Sequence, residues 1–309
     1  MRVMNATASS IPSPRRLPGG VLLTLAMMTV GSTVVASRII AAGLPPFTAA
    51  ALRFAIALPV FLALMRWRGE SLPRPPRHDM VLISLQALCG SVGYAVLLTA
   101  GLRTTSAANA GVITGCLPAV AALMGTLVLR ENLGMRMAIA ITLACVGVIA
   151  VVVGPGQAEA TMPPSITGNL LVLTAVVCEA VFLLLNKQLH VPLSPLTQST
   201  LMTALGFAMT LVPALAERAW AAPVDAAALL SVLYYALVPT VGGYLLWYAG
   251  SERVGAGHAA LYTAVLPLSA LVLAAAVLHE PISARQSIGG FCVLAAIAVG
   301  ALPRQRVHQ

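Results

Sequence analysis

Apolar residues run along this chain in long blocks, and short polar clusters separate them. Ten blocks fall near residues 19–41, 46–65, 79–100, 105–129, 135–153, 168–187, 196–214, 226–249, 256–278 and 284–302. Each is close to the roughly 20 residues an α-helix needs to cross a hydrocarbon core about 30 Å thick. The polar clusters hold the helix breakers. The connection from Arg66 to Asp79 carries Pro73, Pro75 and Pro76 with four arginines, and reads as an extended surface loop. The stretch from Gly154 to Thr167 carries Pro155, Gly156, Pro163 and Pro164, a composition suited to a linker. Ser283, followed three residues later by Gln286, matches a capping box at the start of the tenth block.

The blocks repeat. A constant shift of 149 residues puts Gly19 on Gly168, Arg38 on Lys187, Gly101 on Gly250, Leu117-Pro118 on Leu266-Pro267 and Glu131 on Glu280. The chain therefore divides into a tail (1–18), a first five-helix repeat (19–153), a linker (154–167), a second five-helix repeat (168–302) and a tail (303–309). With five crossings per half, the second copy enters the membrane from the opposite side. The expected fold is an all-α membrane protein of ten transmembrane helices in two inverted repeats, an architecture of secondary transporters.

Composition agrees with a lipid solvent: 59% of residues are hydrophobic, 9% are charged and the mean hydropathy is +0.92. The net charge of +9 is scattered over short connections and forms no stripe, which argues against nucleic acid as a partner. With a cytoplasmic N-terminus, thirteen lysines and arginines fall on the inner side and four (Arg38, Arg103, Arg218 and Arg285) on the outer side, leaving Arg53 within a helix. That asymmetry places both termini in the cytoplasm. The five cysteines lie inside the blocks as small apolar residues, without disulfide or metal spacing. Arg15-Arg16 precede the first block as they would a signal peptide, but the copy of that block at 168–187 marks both as retained helices.

Candidate chemistry sits where the blocks are interrupted. Pro118 and Pro267 stand mid-way through the fourth and ninth segments, each removing a backbone donor, and Gly90 lies under Pro239 in the third and eighth. Matching breaks in two halves point to a central cavity, since irregular backbone at membrane depth needs protein or water to receive it. A packing kink is the alternative, and Gly111 with Gly115 gives a small-residue face for close helix contact alone. Glu179, eleven residues past Gly168, is an acid near the bilayer middle whose repeat mate is Val30. It is suited to a substrate ammonium group or a coupling proton, or else to a hydrogen bond with a neighbouring helix. Arg53 reads as an anchor that snorkels to the interface. Asn109 and its mate His258 are candidates for a polar ligand or for loop carbonyls, while Tyr94, Tyr244, Trp247 and Tyr262 offer aromatic surface with polar edges. Glu131 and Glu280 read first as acids favoured by a helix N-terminus, and second as gating groups.

The doubled Leu-Pro, each followed thirteen residues later by Glu131 or Glu280, together with Arg53-Phe54 after Pro45-Pro46, resembles the EamA-type drug/metabolite transporters. The resemblance covers nearly the whole chain. It implies ten helices in two repeats, a cavity lined by helices one, three, four, six, eight and nine, alternating access, and usually a bacterial inner membrane. It also implies export of amino acids, other metabolites or toxic compounds. Where the family often has Trp-Gly in helix one this chain has Val30-Gly31, and Glu179 replaces a frequent aromatic, which makes Glu179 a candidate specificity determinant.

The leading expectation is a gradient-driven exporter of a small polar metabolite such as an amino acid or other amine, with the lipid bilayer and a coupling proton or counter-ion as further partners. An importer of the same fold is the alternative. No cofactor is expected, and no Walker-type nucleotide loop is present. A membrane enzyme would want a Ser/His or paired-carboxylate constellation, whereas Glu179 is the one acid placed deep in the membrane. A channel would want a filter or oligomeric symmetry.

Overall fold

The computed structural model describes residues 18–72, 75–129, 134–152, 165–186, 188–190, 193–221, 225–254, 262–263 and 265–301. Every regular element among them is helical. In order these are α1 (Gly19–Gly43), α2 (Pro46–Arg68), α3 (Arg77–Gly101), α4 (Ala107–Gly115), α5 (Leu117–Leu129), α6 (Met135–Val152), α7 (Ile166–Asn186), α8 (Pro195–Ala216), α9 (226–254), α10 (Val265–Leu278) and α11 (Ala284–Ala301), with a short 3₁₀ turn at Ala219–Ala221. Six of them, α1, α2, α3, α7, α8 and α9, are long and apolar enough to cross a membrane, and α4 with α5 makes a seventh if that pair, bent by 41°, is one span. Three shorter apolar helices, Met135–Val151, Val265–Leu278 and Ala284–Val299, complete the bundle. This is a multi-pass membrane protein.

Local chemistry sets the ends. Pro46 and Pro195 open α2 and α8, where a missing N–H costs nothing. Gly69 closes α2 at φ 69°, and Glu70 N–H reaches back to Met65 C=O at 2.9 Å in a Schellman arrangement. At the opposite end of the bundle two carboxylates act as caps supplied from elsewhere in the chain. Glu217 accepts from the Phe47 and Thr48 N–H groups of α2 at 3.1 and 2.7 Å, and Glu280 accepts from Ala107 and Ala108 of α4 at 3.1 and 3.0 Å. Glu280 therefore serves a helix N-terminus, but that of α4 and not of α11, which it immediately precedes. The capping box of α11 is present: Ser283 N–H donates to Gln286 Oε1 at 2.8 Å and Gln286 N–H to Ser283 Oγ at 3.2 Å. Glu131 lies outside the described residues.

The packing exchanges the two halves. In the first half α1 leans on α9 and α10, both from the second half; α7, the shifted copy of α1, leans on α3, α4 and α5. Further strong pairs, α2 with α8, α4 with α10 and α6 with α11, join repeat mates directly. The same exchange is visible at atomic scale. A Cβ on Gly19 would lie 3.1 Å from Gly250 C=O, and one on Gly101 would lie 2.8 Å from Gly168 C=O. Gly19 and Gly168 are copies, and so are Gly250 and Gly101, so the anchors of the duplication are two close crossings of the bundle. They sit at opposite ends. One end carries Gly19, the last turn of α9 and the Glu70–Ser194 contact; the other carries Gly43, Glu217 and Glu280.

The main core fills the space between α1, α4, α6, α7, α10 and α11 with Val, Ala, Leu and Ile. Small residues let the backbones approach: Gly111 faces Ala270 and Gly115 faces Pro267 and Val293.

Candidate functional site

Between the halves lies a cavity of about 770 Å³, to whose wall each of the helices α1 to α11 contributes. Its volume is in the range of small-molecule sites. Three local devices shape it. At the first, Pro118 ends the α4 ladder: Cys116 C=O starts a new one, accepting from Ala119 and Val120 at 2.9 and 3.0 Å, and the chain bends between Gly115 and Leu117. The other two are π-helical turns, Ala87–Gly93 within α3 and Ala236–Gly243 within α9. They begin on positions related by the 149-residue shift. A π turn carries one residue more than the α ladder can pair, and such turns gather at functional sites.

The freed backbone groups find side chains. Pro239 has no N–H for the Tyr235 carbonyl one turn back, and Thr240 Oγ1 donates to that carbonyl at 2.9 Å. In the other π turn the Ser91 carbonyl accepts from Arg53 Nη2 at 3.3 Å. Gly90 makes room for Phe182 of α7, since a Cβ there would lie 2.7 Å from the ring.

Arg53 is buried in this cavity wall and does not snorkel to an interface. Its guanidinium lies over the rings of Phe54 and Tyr235, 4.5 and 4.6 Å from their centroids, and among the described residues its Nε has no hydrogen-bond partner. Two ring contacts of about 0.5–2 kcal/mol each offset much of the cost of holding a cation at this depth. Glu179 enters the same cavity from α7, and its charge interacts with that of Arg53. Among the described residues this cavity thus holds one acid and one guanidinium, with aromatic and hydroxyl-bearing walls.

Of the residues singled out in the sequence, Glu179, Gly90, Pro239, Pro118, Tyr244 and Trp247 line the cavity. Others do not. Asn109 is buried at the Glu280 end, where its Oδ1 accepts from Gln286 Nε2 at 2.7 Å and its N–H donates to Ser106 Oγ at 3.1 Å. Tyr262 packs against Gly20 of α1, and Pro267 is turned to Gly115 of α4. Tyr94 packs on the core beside the cavity, within electrostatic reach of Glu179 and Arg53. His258 lies outside the described residues. Residues that the sequence did not bring forward also face the cavity, among them Tyr248, Thr114, Thr203, Gln198 and Asn186. Their signal was weak because a hydroxyl or amide on a membrane helix is as often a packing group.

A second cluster stands at the Gly19 end. Asp79, in the first turn of α3, is buried and its Oδ1 lies 3.2 Å from His78 Nδ1 and 3.0 Å from His190 Nδ1. His190 comes from the connection between α7 and α8, 111 residues further along.

A family profile described as the EamA-like transporter family matches residues 17–153 and again 166–301. The uncharacterized transporter YetK of Bacillus subtilis (strain 168) is 32% identical over 303 residues, covering 97% of this chain and 91% of its own. A probable terminal-alkyne amino-acid exporter of Streptantibioticus cattleyicolor is 26% identical over 226 residues, covering 72% of this chain and 74% of its own. One solved crystal structure shares the fold with a TM-score of 0.61 at 19% identity, covering 91% of this chain and 96% of that one. The relatives are named as transporters and not as enzymes. With the profile matched twice across almost its whole length, this chain belongs to the EamA-like transporter family.

Proposed function

We propose that this protein is a secondary-active exporter of small zwitterionic metabolites, amino acids first among them, working by alternating access around the central cavity. One observation carries the reading: Arg53 and Glu179 face a single cavity between the two repeats. A guanidinium matches a carboxylate in geometry, and an acid in a water-poor site matches an ammonium group or a coupling proton. Tyr244 and Trp247 give the apolar body of the substrate a wall. Pro118, Gly90 and Pro239 are the points where the surrounding helices flex. In this reading Asn109 and Tyr262 act through packing outside the cavity. The name of the Streptantibioticus relative, a probable amino-acid exporter, supports the substrate class.

The architecture we propose has ten spans. The three shorter helices and the α4–α5 pair cross the bilayer with the six long ones, in two inverted repeats at 19–153 and 168–302 joined by 154–167. The exchanged packing and the opposite placement of the Gly19/Gly250 and Gly101/Gly168 crossings support it. Thirteen inner against four outer basic residues support cytoplasmic termini in a bacterial inner membrane.

The test compares metabolites inside and outside cells that overproduce the protein, its Glu179→Gln variant, or neither. Amino acids or amines should build up outside with the native protein and fall to the vector level with Glu179→Gln at equal membrane abundance. Accumulation inside would reverse the direction to import. Full export by Glu179→Gln would remove Glu179 from the mechanism.

A further inference from the structure

His78, Asp79 and His190 converge at the Gly19 end of the bundle, and none of the three lines the cavity. Their three ligand atoms lie within 4.8 Å of one another. The two nitrogen-to-oxygen separations, 3.2 and 3.0 Å, are close to the roughly 3.3 Å edge of a tetrahedron built from metal–nitrogen and metal–oxygen bonds of about 2.0–2.2 Å. Hydrogen bonding alone describes the cluster less well. Three nitrogens crowd Asp79 Oδ1, the two imidazoles and the His190 backbone N–H at 3.4 Å, whereas one carboxylate oxygen offers two lone-pair sites.

Burial and access are divided as a metal site requires. The Asp79 side chain is 2% exposed, fixed in the first turn of α3; the rings of His78 and His190 are 59% and 70% exposed, so an ion can reach them from solvent. The rings also stack edge to face, 4.6 Å between centroids, and each presents its Nδ1 to the same Asp79 oxygen. Two imidazoles and a carboxylate favour a borderline divalent ion such as zinc, cobalt or nickel over calcium or magnesium, which prefer all-oxygen shells.

We propose that His78, Asp79 and His190 form a binding site for one divalent transition-metal ion, which ties the start of α3 to the connection between α7 and α8. Because α3 belongs to the first repeat and α7 and α8 to the second, the ion joins the two halves at one mouth of the bundle. The site stands on this cluster and does not depend on the transport reading.

The test uses the purified full-length protein in detergent, carrying a tag without histidine and stripped with a chelator. Cobalt(II) is titrated and followed by its visible d–d absorption, and zinc is measured by equilibrium dialysis. One equivalent of either ion is expected, with zinc raising the melting temperature. Changing a group beside a metal ligand costs roughly 10–100-fold in affinity, so losing a ligand, as in His78→Ala or His190→Ala, should weaken binding by at least about tenfold. Both ligands are exposed, and melting in chelator checks that the variants fold; His78→Gln with His190→Gln replaces the alanine pair if it does not. Replacing the exposed His279 should leave binding unchanged. Absence of a bound equivalent, or equal binding by the double variant, would overturn the site and leave a hydrogen-bonded latch.

Discussion

A buried arginine in a membrane protein asks what it is kept for. Arg53 spends its planar charge on two rings and one carbonyl, and among the described residues its Nε has no hydrogen-bond partner. Breaking a tight ion pair would be destabilising, but replacing a cation that already costs about 2.5–3.5 kcal/mol to insert need not be. Arg53→Met should therefore retain or raise the melting temperature in detergent while abolishing amino-acid export. Arg53→Lys should also fail in export, since an ammonium cannot stack on Phe54 and Tyr235 as a planar group does. Export at the native rate by Arg53→Met would show that the guanidinium serves structure alone. The sequence placed this residue in a helix but read it as an anchor, because distance from the helix start does not reveal which way a side chain turns. The same limit explains the aromatics: Tyr244 and Trp247 of α9 face the cavity, and Tyr262, just ahead of α10, does not.

At the scale of elements, the breaks and caps divide into those with a compositional mark and those without one. Pro118 marks its bend, and Ser283 with Gln286 marks its cap, so both could be read directly. The π turns carry no mark beyond Gly90 and Pro239, since one additional residue in a helix alters neither hydropathy nor length detectably. Glu280 shows a third case. The sequence assigns an acid to the helix that follows it, whereas its carboxylate reaches 172 and 173 residues back to the first N–H groups of α4. The Asn109–Gln286 bond then ties the same turn of α4 to α11, so the start of α4 is held from two sides. Glu280→Ala should destabilise the protein by about 1–2 kcal/mol, the loss of a strong N-terminal cap. Thermal melting in detergent measures it, with Glu280→Gln intermediate because the amide oxygen still accepts one bond. A melting temperature unchanged in both variants would mean that water replaces the carboxylate at no cost. The His78–Asp79–His190 cluster was hidden for a related reason: His190 joins the other two only when the connection between α7 and α8 meets the start of α3 at one end.

For the whole molecule the question is orientation, and it joins the duplication to the charge pattern. Five spans per repeat, packed so that α1 meets α9 and α10 as α7 meets α3, α4 and α5, require the copies to run in opposite senses through the bilayer if the shorter helices also cross it. The ends of the bundle then carry different charge. Arg66, Arg68 and Arg77 lie at the Gly19 end, while Arg38 and Arg103 at the other end are committed to helix carbonyls: Arg38 donates to Leu102 C=O, and Arg103 Nη2 donates to Leu44 C=O at 3.0 Å. Arginines engaged with the carbonyl ends of α1 and α3 serve packing there, and four basic residues stand at that end against thirteen at the other. The Gly19 end, with Leu72 in its proline-rich loop, should thus face the cytoplasm, and Ile282 beside Glu280 should face outward. Both side chains are exposed, at 51% and 44%. In a background with the five native cysteines replaced, Ile282→Cys should react with a membrane-impermeant maleimide on intact cells and Leu72→Cys only after permeabilisation. The reverse pattern would invert the molecule, turn the His78–Asp79–His190 end to the outside, and convert an outward-directed carrier reading into one that must be argued afresh. Labelling of both cysteines from the same side would be worse for the inverted repeat. It would require an odd number of crossings between residues 72 and 282 to become even, which removes one of the shorter helices from the bilayer and breaks the equivalence of the halves.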